Sequence, residues 1–154
     1  YRSNQEPVLS MWMAKHDFIK LQQGKHQSVQ EYYERFIALK EVNESLGNSV
    51  YQDQGILEIV AEEHGQNASN LSADQKDAFI KEGQERMLAM QMFMGADQKQ
   101  FRSAIEDLKN LYLMNKCNNY PKTTHACFTL LKGWSNSRAQ TVVCQTGWEL
   151  HSPM

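Results

Sequence analysis

No stretch of this chain approaches the roughly 20 apolar residues that cross a bilayer, and no short window carries a run of cations. The first absence excludes a membrane-spanning helix, so no membrane partner is expected. The second goes with a balanced charge: Lys plus Arg is 16, Asp plus Glu is 18, and the formal net charge is −2. Neutralising phosphate takes clustered cations, so a dedicated nucleic-acid-binding segment is not expected. Cysteine is scarce. Cys117, Cys127 and Cys144 are odd in number and irregular in spacing. They make a poor disulfide framework and fit a reducing, cytoplasmic setting. Internal repeats, low-complexity tracts and glycine-rich phosphate loops are all missing. Asn43, Asn67 and Asn70 open Asn-x-Ser sequons, which we read as chance in a chain rich in Ser and Asn. Tyr1 stands where an initiator Met would, so we expect a piece of a longer protein.

Constellations for catalysis are also wanting. His125 and Cys127 stand two residues apart, which on a helix turns them to different faces. A working Cys–His pair needs hydrogen-bond reach and a third, orienting group. Glu62, Glu63 and His64 are adjacent and splay around a helix. His16 and His26 read as surface or loop histidines. We therefore expect no catalytic residue, no cofactor and no metal, and a protein that is not an enzyme.

What the chain does have is helical periodicity nearly throughout. Its 154 residues favour one domain or two small lobes and need neither disulfide nor metal to fold. Val8, Met11, Trp12, Phe18, Ile19 and Gln22 predict a helix over about 8–22, closed by a left-handed cap at Gly24. Ser28 with Glu31 forms a capping box for a second helix ending near Leu46, with Gly47 as its stop. A short helix between Tyr51 and Gly65 is preferred over a buried strand, and 66–71 reads as a loop. Ser72 with Gln75 is a second capping box, opening a long helix to about Met94 that Gly95 breaks. Asp97 caps the next helix, and Thr123 or Thr124 caps one that ends near Trp134. Beyond Ser135 the pattern fails, apart from a β-branched run at Thr141–Cys144. The expectation is an all-α bundle of five to six helices over 1–134 and a poorly ordered tail over 135–154.

One stretch stands out. Gln23 and Gly24 are followed, after a gap of four, by Val29, and then by Glu31-Tyr32-Tyr33-Glu34-Arg35-Phe36. Gln23-Gly24 would make a tight entry to the helix, with Tyr32, Phe36 and Leu39 facing inward. Arg35 offers five donors in a rigid fork, and we expect it to tie together loop carbonyls or the amides of Gln23 and Gln27. A second stretch runs Met92-Phe93-Met94-Gly95-Ala96-Asp97-Gln98, then Ile105-Glu106-Asp107-Leu108, then Tyr120-Pro121-Lys122-Thr123.

The first stretch resembles the major homology region of retroviral and retrotransposon capsids. Taken together, Ser28–Leu39 and the Gly95–Thr123 elements resemble the Gag protein of copia-type long-terminal-repeat retrotransposons, over about residues 9–134. Two departures stand against the pattern. Gln27 replaces a Glu common in retroviral motifs, so its expected bond to Arg35 is neutral, and residues 49–86 lengthen the connection between motif helices. The resemblance implies a retroviral-capsid-like fold that self-associates into a shell around the element's RNA. Packaging in that family falls to a basic or zinc-knuckle segment, and Cys117, His125 and Cys127 lack knuckle spacing. RNA would then be reached only through a segment outside this chain. The partner expected of this chain is itself.

Two candidate contacts follow. Met87, Met90 and Met94 share one helical face, while Leu88 and Met92 lie on another. The Met face is either core filler or, by resemblance and together with Arg86, a two-fold self-association surface. Trp12 belongs either to the core with Met11 and Phe18 or to a second contact between copies. The other reading carried forward is a Gag-derived helical adaptor that binds partner peptides in a groove.

Overall fold

Short-range capping sets most of the helix starts. The computed structural model describes residues 6–115 and 118–136. In chain order these form α1 (Pro7–Ile19), α2 (Val29–Ser45), α3 (Gln54–Glu63), α4 (Ala73–Met94), α5 (Gln98–Asn115) and α6 (Thr124–Asn136). A single 3₁₀ turn, Ala68–Asn70, precedes α4. No strand occurs among the described residues, and the fold is all-α. The expected tail over 135–154, with its extended run at Thr141–Cys144, lies outside the described residues apart from the last two positions of α6.

Both capping boxes are present. Ser28 Oγ accepts from Glu31 N while Glu31 Oε1 accepts from Ser28 N. Ser72 and Gln75 repeat the exchange at α4. Asp97 Oδ1 accepts from Lys99 N at the start of α5. Of the two threonines before α6, Thr123 is the cap, accepting from Ala126 N at 3.0 Å. Gly47 is left-handed, with φ +81°, as a stop after α2 requires.

The end of α1 departs from expectation. The helix stops at Ile19, with Lys20 as a right-handed cap, and Gly24 is not left-handed. Gln22 is polar and no evidence of continued helix. Leu21, two residues past the end of the helix, is buried in the core cluster.

Helices of 10–22 residues are marginal alone in water, so packing holds them. The longest, α4, packs on α3 and α6; α1 pairs with α2, and both α2 and α5 lean on α6. Phe18, Tyr32, Phe36, Met92, Phe93 and Phe101 are fully buried where these faces meet. Each such side chain contributes about 1.5–3 kcal/mol by leaving water. Between α3 and α4 the approach is closer still, since a Cβ at Gly83 would lie 2.9 Å from Ile56 Cγ1.

Polar side chains fix the remaining angles. Asn43, essentially solvent-free, donates to the carbonyls of Ala14 and Leu39 and accepts from Asn48 Nδ2. Asn48 also reaches Met11 O, so α1 and the end of α2 are stitched together. Asn43 is thus a buried hydrogen-bonding residue, inaccessible as a sequon. Across the bundle, Glu85 of α4 accepts from both the N–H and the hydroxyl of Thr124, closing the first turn of α6 from another helix.

Candidate functional site

The two stretches singled out in the sequence meet at one joint. Gln23 is 9% exposed and held three ways. Its N–H donates to Gly95 O at 2.8 Å, its Nε2 donates to Gln27 O at 2.9 Å, and its Oε1 accepts from Asp97 N at 2.9 Å. Gln27 completes the loop by accepting from Gly24 N and donating its own N–H to Gly24 O. Below it, Tyr32 Oη donates to Met92 O at 2.8 Å. Burial, with Cys127 as a second cause, raises the Tyr32 phenol well above its ordinary range. Gly95 is needed here: a Cβ would sit 2.5 Å from Tyr32 Oη and 3.0 Å from Leu21 O.

Arg35 takes no part in this joint, contrary to expectation. It is exposed on α2 and makes no hydrogen bond or ion pair among the described residues. The reason is angular. Position 35 stands one step, roughly 100°, around the helix from buried Phe36, which turns the guanidinium outward. The glutamines satisfy one another and the loop carbonyls without it. Glu31 is likewise exposed and serves only its capping box.

The methionines sort as their angles require. Leu88 and Met92 are in the core, while Met87 and Met90 are half-buried and Met94 is half-exposed. Those three line an open groove of about 400 Å³ together with Ile19, Leu21 and Tyr51. Tyr51 holds a left-handed φ of +62°, uncommon for a bulky residue. Its Oη donates to Gln91 Oε1 at 2.6 Å, and Gln91 Nε2 donates to Phe18 O at 3.0 Å. Arg86 is not free to join this face, because it bonds Glu63 of α3 at 2.6 Å and is largely buried.

Trp12 is not core. It is 61% exposed and stacks on His16 with ring centres 5.0 Å apart. The buried face of α1 is Ser10, Ala14 and Phe18 instead.

Cys127 is fully buried, and burial pushes its thiol up to about 12, which leaves it protonated and unreactive at neutral pH. His125 is exposed one turn from Phe128. His64 stacks on Phe79 and bonds Glu82 at 3.0 Å. Among the described residues no group of three or more His, Cys, Asp or Glu side chains is arranged to hold a metal ion. No helix there is long and apolar enough to cross a membrane. Residues that sequence reasoning passed over are Tyr51 and Gln91, whose partners lie 40 and 73 residues away. No local pattern announces such pairs.

No protein-family model, curated protein or solved structure matches the chain.

Proposed function

We propose that this chain is the assembling domain of a Gag capsid of the copia type, from a retrotransposon or a host protein descended from one. It builds a shell around element RNA. One observation carries the reading: the two stretches that bear the resemblance, 23–36 and 92–98, have no local reason to meet, yet they share the Gln23–Gly95–Asp97 and Tyr32–Met92 bonds. Such a joint holds α2 and the α4–α5 corner at a fixed angle, as a repeating building block needs. Assembly proceeds through several weak contacts, which a closed shell multiplies by avidity. RNA is held by a segment outside this chain, since cations here are scattered.

Light scattering and negative-stain microscopy of the purified chain over a range of salt test this. Particles or concentration-dependent oligomers are expected. A monomer at every concentration and salt would overturn it. The groove beside strained Tyr51 favours a second reading, an adaptor that seats one partner peptide between α1 and α4. A persistent monomer that captures a peptide in that groove would establish the adaptor instead.

A further inference from the structure

The described chain divides into two bodies joined by one short connection. In the first, α1 and α2 pair and are stitched by bonds within 7–49. Asn43 Nδ2 donates to Ala14 O and Leu39 O, Asn48 Nδ2 donates to Met11 O, and Lys15 Nζ donates to Ser49 O. In the second, α3 and α6 pack on α4, and α5 packs on α6. The connection is residues 46–53, between the end of α2 and the start of α3. Its strained point is Tyr51, held at φ +62°. An L side chain there crowds its own backbone.

Docking of the two bodies holds that strained conformation. Gln84 Nε2 of α4 donates to Val50 O at 2.6 Å, and Tyr51 Oη donates to Gln91 Oε1. Gln91 Nε2 donates in turn to Phe18 O of the first body, so one α4 side chain grips both sides of the bend.

We propose that the α1–α2 hairpin exchanges between two copies of the chain, with Tyr51 as the hinge. Turning φ at Tyr51 to the ordinary negative region releases the strain and swings the hairpin off its own α4. It then seats on α4 and α6 of a second copy, which returns its own hairpin. The contacts between the bodies are all remade: Tyr32 to Met92 O, Gln23 to Gly95 and Asp97, and Tyr33 stacked on Phe128. Pairing therefore needs no surface beyond those the monomer already buries. Its cohesion is that of the core, where Phe18, Tyr32 and Phe36 meet Leu88, Met92 and Phe93. Short connections under strain favour such an exchange, and the exchanged pair is closed and two-fold. The proposal rests on the self-association reading and supplies one contact for it. Since the hairpin must leave a buried core, exchange happens while the chain folds. A pair once formed persists.

Refolding from urea at a series of protein concentrations, followed by size-exclusion chromatography, tests this. The wild type is expected to give more pair as the refolding concentration rises, and the isolated pair is expected to stay paired on dilution. Two variants isolate the hinge. Tyr51→Gly and Tyr51→Ala both lose the ring and its bond to Gln91, but only glycine takes the positive φ without strain. Circular dichroism confirms that both fold. The Ala variant, relieved of strain at two hinges per pair, is expected to pair about tenfold or more tightly than the Gly variant. If the two variants pair alike, Tyr51 is not the hinge and the exchange is overturned. If the wild-type pair falls apart promptly on dilution, it is a surface contact, which overturns the exchange and leaves self-association standing. A wild type that is monomeric at every refolding concentration overturns the exchange. If it also forms no particles without refolding, the assembly reading falls too.

Discussion

The backbone N–H of Asp97 donates to the side-chain oxygen of Gln23, 74 residues earlier in the chain, at 2.9 Å. This bond makes the entry to α5 depend on the loop that joins α1 to α2. Replacing Gln23 with Ala leaves the Asp97 N–H and the Gln27 carbonyl without their partners. We expect a loss of about 1–3 kcal/mol, the cost of stranding part-buried polar groups. Urea unfolding checks it: the midpoint should fall with an unchanged slope. An unaltered midpoint would show that water replaces the side chain without cost.

Gly95 and Tyr32 are coupled sterically. A methyl group at position 95 meets the Tyr32 hydroxyl at 2.5 Å and must push it from Met92 O. Gly95→Ala should therefore destabilise by about 1–3 kcal/mol, as overpacking does. Tyr32→Phe removes the atom in the way. The double variant should be less destabilised than the sum of the two singles, with a coupling of about 0.5 kcal/mol or more. Strict additivity in the cycle would refute the contact.

Arg35 is exposed, so its removal should do little to the fold. Arg35→Ala is expected to change stability by no more than about 0.5 kcal/mol, the usual range for a surface position. A drop in melting temperature of several degrees would mean that the guanidinium has a structural partner after all.

Alkaline pH should weaken the protein through its core. Burial pushes the Cys127 thiol from 9.0 up to about 12 and raises the Tyr32 phenol further. Above pH 9 the unfolded chain gives up a proton that the native thiol keeps. Stability is therefore full below about pH 9 and declines as pH rises toward 12, by up to about 1.4 kcal/mol per pH unit for the thiol. Urea midpoints at pH 8 and pH 10.5 measure it, and Cys127→Ala should shrink the difference to the share that the Tyr32 phenol contributes. Equal midpoints in the wild type would rule the effect out.

Legibility followed distance along the chain. Ser28 with Glu31 and Ser72 with Gln75 were readable because a capping box lies within one turn. The split of Met87, Met90 and Met94 from Leu88 and Met92 was readable from angle alone. Trp12 was ambiguous because α1 is apolar on both sides, and periodicity does not say which side the bundle covers. Arg35 was misjudged because residue type suggested a network that its place on the helix forbids. Asn43, Gln91 and Glu85 had no signal, since their partners are set only once the helices have docked. Of the candidate site, the segments were visible in the sequence but their meeting was not.

The Gln23–Asp97 bond also has a meaning for synthesis. A ribosome adds roughly 5–20 residues per second, so the 74 residues from position 24 to position 97 take roughly 4–15 s to be made. Until then the first two helices wait with the aromatic rings of Phe18, Tyr32 and Phe36 lacking the α4 surface that later covers them. A nascent chain halted before α4 has emerged leaves those rings without the Leu88, Met92 and Phe93 side chains that pack on them in the finished bundle.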